Sequence, residues 1–194
     1  KTDTEVLQDF GLLREKAVMA HGNFISPADG ARFVESGAAV AHCPISNAYF
    51  ANGVIPIKRL KEQGVTIGLG TDISGGFSPS LYDNIKQAVM SSRMLEDGVD
   101  VTLPQNTRGV ADSRISVIDA FSLATKGGGE ALKLPVGVIK EGYAFDVQVI
   151  DTRQKENPLP DFGVFTSPEA RLQKILYLAT MQNIRQVWVQ GKKV

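Results

Sequence analysis

Three short apolar runs, each closing on an imidazole or a carboxylate, constrain this chain more than any other feature. They are "KAVMAHG" (Lys16 to Gly22), "AAVAHCP" (Ala38 to Pro44) and "VTIGLGTD" (Val65 to Asp72). Each is too short for a helix and apolar on both faces, which is the pattern of a strand buried between helices in a parallel sheet. The segments between them carry helix signals. Ser26 can N-cap, Pro27 suits the first helical position, Asp29 completes a capping box and Gly37 ends the element. "IPIKRLKEQG" places Ile55 and Leu60 on one face and turns at Gly64. Ser78-Pro79 repeats the start signal, and Leu81, Ile85, Ala88 and Val89 follow at helical spacing. The first hundred residues therefore read β-α-β-α-β-α, an α/β class fold.

The flanking segments are less regular. Leu7 to Leu13 reads as the end of a helix already under way at the first residue. Residues 97–115 are polar and turn-rich, and read as an insertion loop. Ser116 and Asp119 open another helix, "SVIDAFSLATKGGGEALKL", which Gly127 to Gly129 should interrupt. "VGVIKEGYAFDVQVID" predicts a hairpin turning at Gly142, where a positive φ costs glycine little. "SPEARLQKILYLATMQNI" predicts a helix, and "QVWVQGKKV" a final strand and turn. Two domains are expected, residues 1–134 with the β-α repeats and residues 135–194 with the predicted hairpin and a C-terminal helix.

Charge excludes one class of partner. Twenty-one Lys and Arg balance twenty-one Asp and Glu, so no nucleic-acid footprint is expected. No apolar run approaches the ~18 residues of a membrane span, and no signal peptide is evident. Cys43 is the one cysteine, so no intrachain disulfide can form and a cytoplasmic setting is expected.

In parallel α/β folds, functional groups gather at the carboxyl ends of strands. Three consecutive runs end here in His21, His42 and Asp72, and the chain holds no other histidine. A single strand-end histidine would ordinarily be structural. Two of them beside an aspartate point to a metal-hydrolase site, because imidazole and carboxylate bind zinc or iron and handle an activated water. Cys43 could be a thiol nucleophile, but no second cysteine or neighbouring base supports it. The cytidine-deaminase type of zinc site needs Pro-Cys-x-x-Cys and is excluded.

Taken together, "VMAHG", "AHCPISN" and "IGLGTDISGGFS" resemble the amidohydrolase superfamily, and most specifically its guanine deaminases. Gly-Thr-Asp followed by Ser-Gly-Gly and the aromatic Phe77 carries the specific part. "GVIKEGYAFDVQVID" resembles the return into that family's small β-sandwich domain, although Phe145 stands where many members have alanine. The resemblance implies the C-terminal part of a (β/α)8 barrel, with strands like the sixth, seventh and eighth, plus part of the sandwich. The family's His-x-His and His-x-x-Glu motifs are absent. They would lie on a portion outside this chain, since three strands cannot close a barrel.

The resemblance also implies roles. Asp72 would ligate Zn²⁺ (or Fe²⁺) and take the proton from the activated water, which attacks C2 of guanine to give xanthine and ammonia. His21 would polarise the attacked centre or hold the hydroxide, with direct ligation the less favoured role. Asp72, Ser74 and Gly75 would border the purine base, on a loop whose glycines either admit the substrate or simply turn the chain. His42 and Asn47 would orient other groups or merely pack. The expected partners are a small purine and a second copy of the full-length enzyme. Two alternatives stay open: a cytosine-, adenosylhomocysteine- or triazine-type amidohydrolase, or a non-catalytic fragment or subunit.

Overall fold

A computed structural model describes residues 1–159, 163–164 and 167–194. The chain divides into two compact units, Lys1–Leu134 and Pro135–Val194.

The first unit is built on a three-stranded parallel sheet in the order β1-β2-β3, with β1 at Val18–Ala20, β2 at Ala39–His42 and β3 at Thr66–Leu69. Registers run Val18 to Ala39 and Ala39 to Thr66. Helices precede, connect and follow the strands: α1 (Asp3–Asp9), α2 (Pro27–Ser36), α3 (Pro44–Tyr49), α4 (Ile57–Glu62) and α5 (Leu81–Asp97). Val40 and Ile67 of the sheet are buried together with Phe33, Leu60, Ile85 and Val89 of the helices. Each such side chain contributes about 1.5–3 kcal/mol by leaving water. β1 departs from the expectation of burial on both faces. Among the described residues it pairs with β2 alone, and Val18 and Ala20 are exposed.

Local signals explain the helix bounds. Ser26 accepts from the Asp29 amide while the Asp29 carboxylate accepts from the Ser26 amide, and Gly37 closes α2 in the left-handed conformation. Burial raises the Asp29 carboxyl, but the Ser26 and Thr2 hydroxyls outweigh that and hold it low. Leu7 to Leu13 does contain the end of a helix, but that helix is not under way at the first residue. α1 begins at Asp3, where Thr2 and Glu5 form their own capping box, and it stops at Asp9. α5 begins two residues later than Ser78-Pro79 suggests. Ser80 is its N-cap, and Ser78 instead donates to the Asp83 carboxylate at 2.7 Å. α3 has no counterpart in the sequence reading: Pro44 ends the β2 ladder and also opens this short helix.

Beyond α5, residues 98–116 hold no regular element. α6 (Val117–Ser122) then runs through a π-helical turn, Leu123–Gly127, into α7 (Gly128–Leu132). The expected interruption at Gly127 to Gly129 is therefore a continuous helical path. The glycines serve packing: a Cβ on Gly127 would collide with the Ile67 carbonyl, and a Cβ on Gly68 would lie 3.2 Å from the Gly128 Cα. Bare backbone is what lets this helix lie directly on β3.

The second unit carries an antiparallel sheet in the order β4-β5-β6, from Val147–Ile150, Ile184–Val189 and Lys192–Lys193. The predicted 136–151 hairpin does not form. β4 pairs with β5, while Gly142 turns a loop closed by the Tyr143 amide on the Lys140 carbonyl at 3.1 Å. α8 (Pro168–Leu178) starts at Ser167, which accepts from the Ala170 amide. Asn183, fully buried, ties the unit together by donating to the Asp151 and Asn157 carbonyls.

Candidate active site at the strand ends

His21 follows β1 directly, and Asp72 lies three residues beyond β3 rather than at the strand's last position. The ladder stops at Leu69, and the chain bends through Gly70 and Thr71 before Asp72. Both residues adopt positive φ, 68° at His21 and 50° at Asp72. That conformation costs a residue with a Cβ about 1–2 kcal/mol, and such outliers gather at functional sites. Its effect here is convergence, since His21 Nε2 lies 3.8 Å from Asp72 Oδ2 with both side chains part-exposed.

α3 holds both members from beneath. The Ser46 hydroxyl donates to Asp72 Oδ2 at 2.6 Å, and His21 Nδ1 meets Asn47 Oδ1 at 2.9 Å. Ser46 and Asn47 are themselves buried. Sequence reasoning named Asn47 but missed Ser46. The available signal was Pro44: read as the first residue of a helix, it places Ser46 and Asn47 in that helix's first turn. Asn47 Nδ2 donates to Asn23 Oδ1 at 2.8 Å, and Asn23 Nδ2 donates to the Asn52 carbonyl at 3.0 Å.

Ser74 and Gly75 share the loop of Asp72, and Ser74 is exposed. The glycines have a reason internal to that loop. A Cβ on Gly75 would stand 2.8 Å from Asp72 Oδ2, and one on Gly76 would strike the Thr71 carbonyl. The Gly76 amide donates to the Asp72 carbonyl at 2.6 Å, closing the turn around the carboxylate.

His42 does not join the pair. It is still within β2, opposite Leu69, so its side chain packs against a face of the sheet instead of leaving the strand end. It lines a small space with Pro44, Asn47 and Ser91. Neither ring nitrogen has a hydrogen-bond partner among the described residues. Burial first, then the nearby His21, push its pKa down to about 3, so His42 is a neutral imidazole. Cys43 is not a poised nucleophile. Burial and then the Asp72 carboxylate push its thiol up, against a hydrogen bond from the His21 backbone.

As a metal site this arrangement is partial. His21 Nε2 and Asp72 Oδ2 are suitable donor atoms that converge, yet no group of three or more His, Cys, Asp or Glu that could hold an ion exists among the described residues. A catalytic zinc site takes about three protein ligands, so these two residues fit as part of a ligand set. No helix among the described residues is long and apolar enough to cross a membrane.

The whole chain, residues 1–194, matches the amidohydrolase family. It is 38% identical over 199 residues to the guanine deaminase of Mus musculus, covering 100% of this chain and 42% of the relative. It is 38% identical over 154 residues to the 5-methylthioadenosine/S-adenosylhomocysteine deaminase of Pyrococcus abyssi, covering 79% of this chain and 33% of the relative. Its fold superposes on a crystal structure of guanine deaminase from C. acetobutylicum with bound guanine in the active site. The TM-score is 0.79 at 28% identity, over 98% of this chain and 42% of that one. The chain thus spans less than half the length of the relatives it matches.

Proposed function

The chain belongs to the amidohydrolase family, and from that premise we propose that it supplies the last three barrel strands and part of the catalytic centre of a guanine deaminase. The reaction is guanine plus water giving xanthine plus ammonia. Water oxygen bonds to C2, the C2–amino bond breaks, and the nitrogen leaves with a proton. The observation that carries this reading is the convergence of His21 Nε2 and Asp72 Oδ2 at the strand ends, in a chain 38% identical to a guanine deaminase over its full length.

Asp72 accepts the proton of the attacking water, and Ser46 holds its carboxylate in place. His21 presents Nε2 to the same space and orients that water. Asp72, with His21 as candidate second donor, would hold a divalent ion, zinc or ferrous iron, which when bound brings a water pKa to about 7. The remaining ligands and the acid that protonates the departing amino nitrogen belong to residues outside this chain. Ser74 and Gly75 border the purine. The full-length enzyme is a cytoplasmic homodimer in this reading.

The Pyrococcus relative's identity over 154 residues favours a second reading, an adenosine-type deaminase. The test is ammonia release by the full-length protein from guanine, 5-methylthioadenosine and S-adenosylhomocysteine. Guanine turned over best supports the proposal, and an adenosine-type substrate turned over best replaces it.

A further inference from the structure

A chain of hydrogen bonds beside the site begins at a group whose role is beyond doubt. The Asn52 backbone carbonyl can only accept. Whatever lies 3.0 Å from it on Asn23 must therefore be the amide nitrogen, Nδ2. That orientation leaves Asn23 Oδ1 as an acceptor, and its partner at 2.8 Å is Asn47 Nδ2. Asn47 Oδ1 is then the atom facing His21 Nδ1 at 2.9 Å. An oxygen there requires a proton on Nδ1. In the neutral ring, Nε2 consequently carries the lone pair and faces the Asp72 carboxylate side. Three residues, Asn52 and Asn23 from two separate loops and Asn47 from α3, set which nitrogen of the His21 imidazole is protonated.

We propose that Asn23 is a positioning residue that fixes the His21 tautomer through Asn47, keeping Nδ1 protonated and Nε2 free to act on the attacking water. Asn23 touches neither His21 nor Asp72 in this chain of bonds and acts only by orienting the Asn47 amide. This rests on the reading of His21 as a group of the active site, and extends it to two residues away. Nearby-ligand orientation of this kind typically changes activity about 10–100-fold when removed.

The chemistry makes a discriminating pair of variants. Asn23→Asp keeps an acceptor for Asn47 Nδ2, so the Asn47 orientation and the His21 tautomer survive, while the bond to the Asn52 carbonyl is lost. Asn23→Ala removes both. If Asn23 merely ties its loop to Asn52, Asn23→Asp should be at least as damaging as Asn23→Ala, since it sets a carboxylate against a carbonyl.

The experiment uses the full-length protein with nitrogen-15 labelled histidine, the His21 signals being assigned by their loss in His21→Gln. Ring nitrogen-15 shifts report the tautomer without any substrate, and kcat and KM for guanine are measured beside them. The proposal expects wild type and Asn23→Asp to show a protonated Nδ1 on His21 and similar kcat. It expects Asn23→Ala to show a mixed tautomer and a kcat lower by about 10-fold with little change in KM. An unchanged His21 tautomer in Asn23→Ala, or Asn23→Asp impaired as deeply as Asn23→Ala, would overturn it. Failure to turn guanine over with the expected shifts intact would overturn the substrate reading and leave the tautomer assignment standing.

Discussion

His21 Nε2 and Asp72 Oδ2 come within 3.8 Å of one another although a whole strand, β2, separates the strands that carry them. Two inter-strand spacings amount to ~10 Å. The gap closes because neither residue is inside its strand. Each sits just past a strand end with positive φ, which turns the chain over the end of β2, and α3 rises from β2 itself to meet both side chains. The middle strand thus serves the site through the helix that follows it, and its own histidine stays buried.

Replacing Ser46 by alanine tests that support. The hydroxyl is the one side-chain donor to Asp72 among the described hydrogen bonds, and Asp72 is part-exposed, so water can take over its solvation. Ser46→Ala should lower kcat on the order of 10-fold and weaken metal binding similarly, while the melting temperature changes little. Equal activity and metal affinity in the variant would remove Ser46 from the account.

Gly75→Ala probes the loop. The added methyl would press on Asp72 Oδ2 at 2.8 Å, so the carboxylate has to shift. A displacement below 1 Å at a reacting group can still cost rate heavily, and on the order of 10²-fold is expected with the circular dichroism spectrum unchanged. Wild-type turnover by Gly75→Ala would show that the carboxylate has no need of its present position.

The sheet and its strand-end residues were legible because apolar runs bounded by capping signals leave few alternatives. Ser26, Pro27, Asp29 and Gly37 delimit α2 as the sequence suggests. What escaped were features fixed by contacts distant in sequence. Nothing local says that Asp72 will pass the end of β3, or that β4 will choose β5 over residues 136–140. Gly127 to Gly129 look like a helix breaker in isolation, and are tolerated because β3 packs against the bare backbone. Asn23 and Ser46 are ordinary polar residues until the fold brings their partners within 3 Å. His42 shows the converse: a strand-end histidine that reads as functional, and that the fold buries in the sheet.

That burial gives a pH signature. An unfolded His42 titrates near 6.5, whereas in the fold it stays neutral down to about 3. Between these values only the unfolded chain takes up the proton. Its contribution is therefore complete above 6.5 and falls as the pH drops, by about 1.4 kcal/mol per pH unit. The carboxylate of Asp83, held low by the Ser78 hydroxyl against its burial, contributes its loss only below its ordinary 3.8. Denaturant titrations of the full-length protein at about pH 7 and about pH 5 should show this loss, and His42→Leu should make the slope shallower by the His42 share. An unchanged slope in His42→Leu would mean that another group carries the effect.

The central claim is that Asp72 serves as proton acceptor in the hydrolysis of guanine, and one comparison meets it directly. Full-length wild type and Asp72→Asn, which keeps shape but removes basicity, are assayed for xanthine and ammonia from guanine under saturating metal. The account predicts equimolar xanthine and ammonia from the wild type and a loss of about 10²-fold or more in the variant. Guanine turnover by Asp72→Asn at the wild-type rate would contradict it.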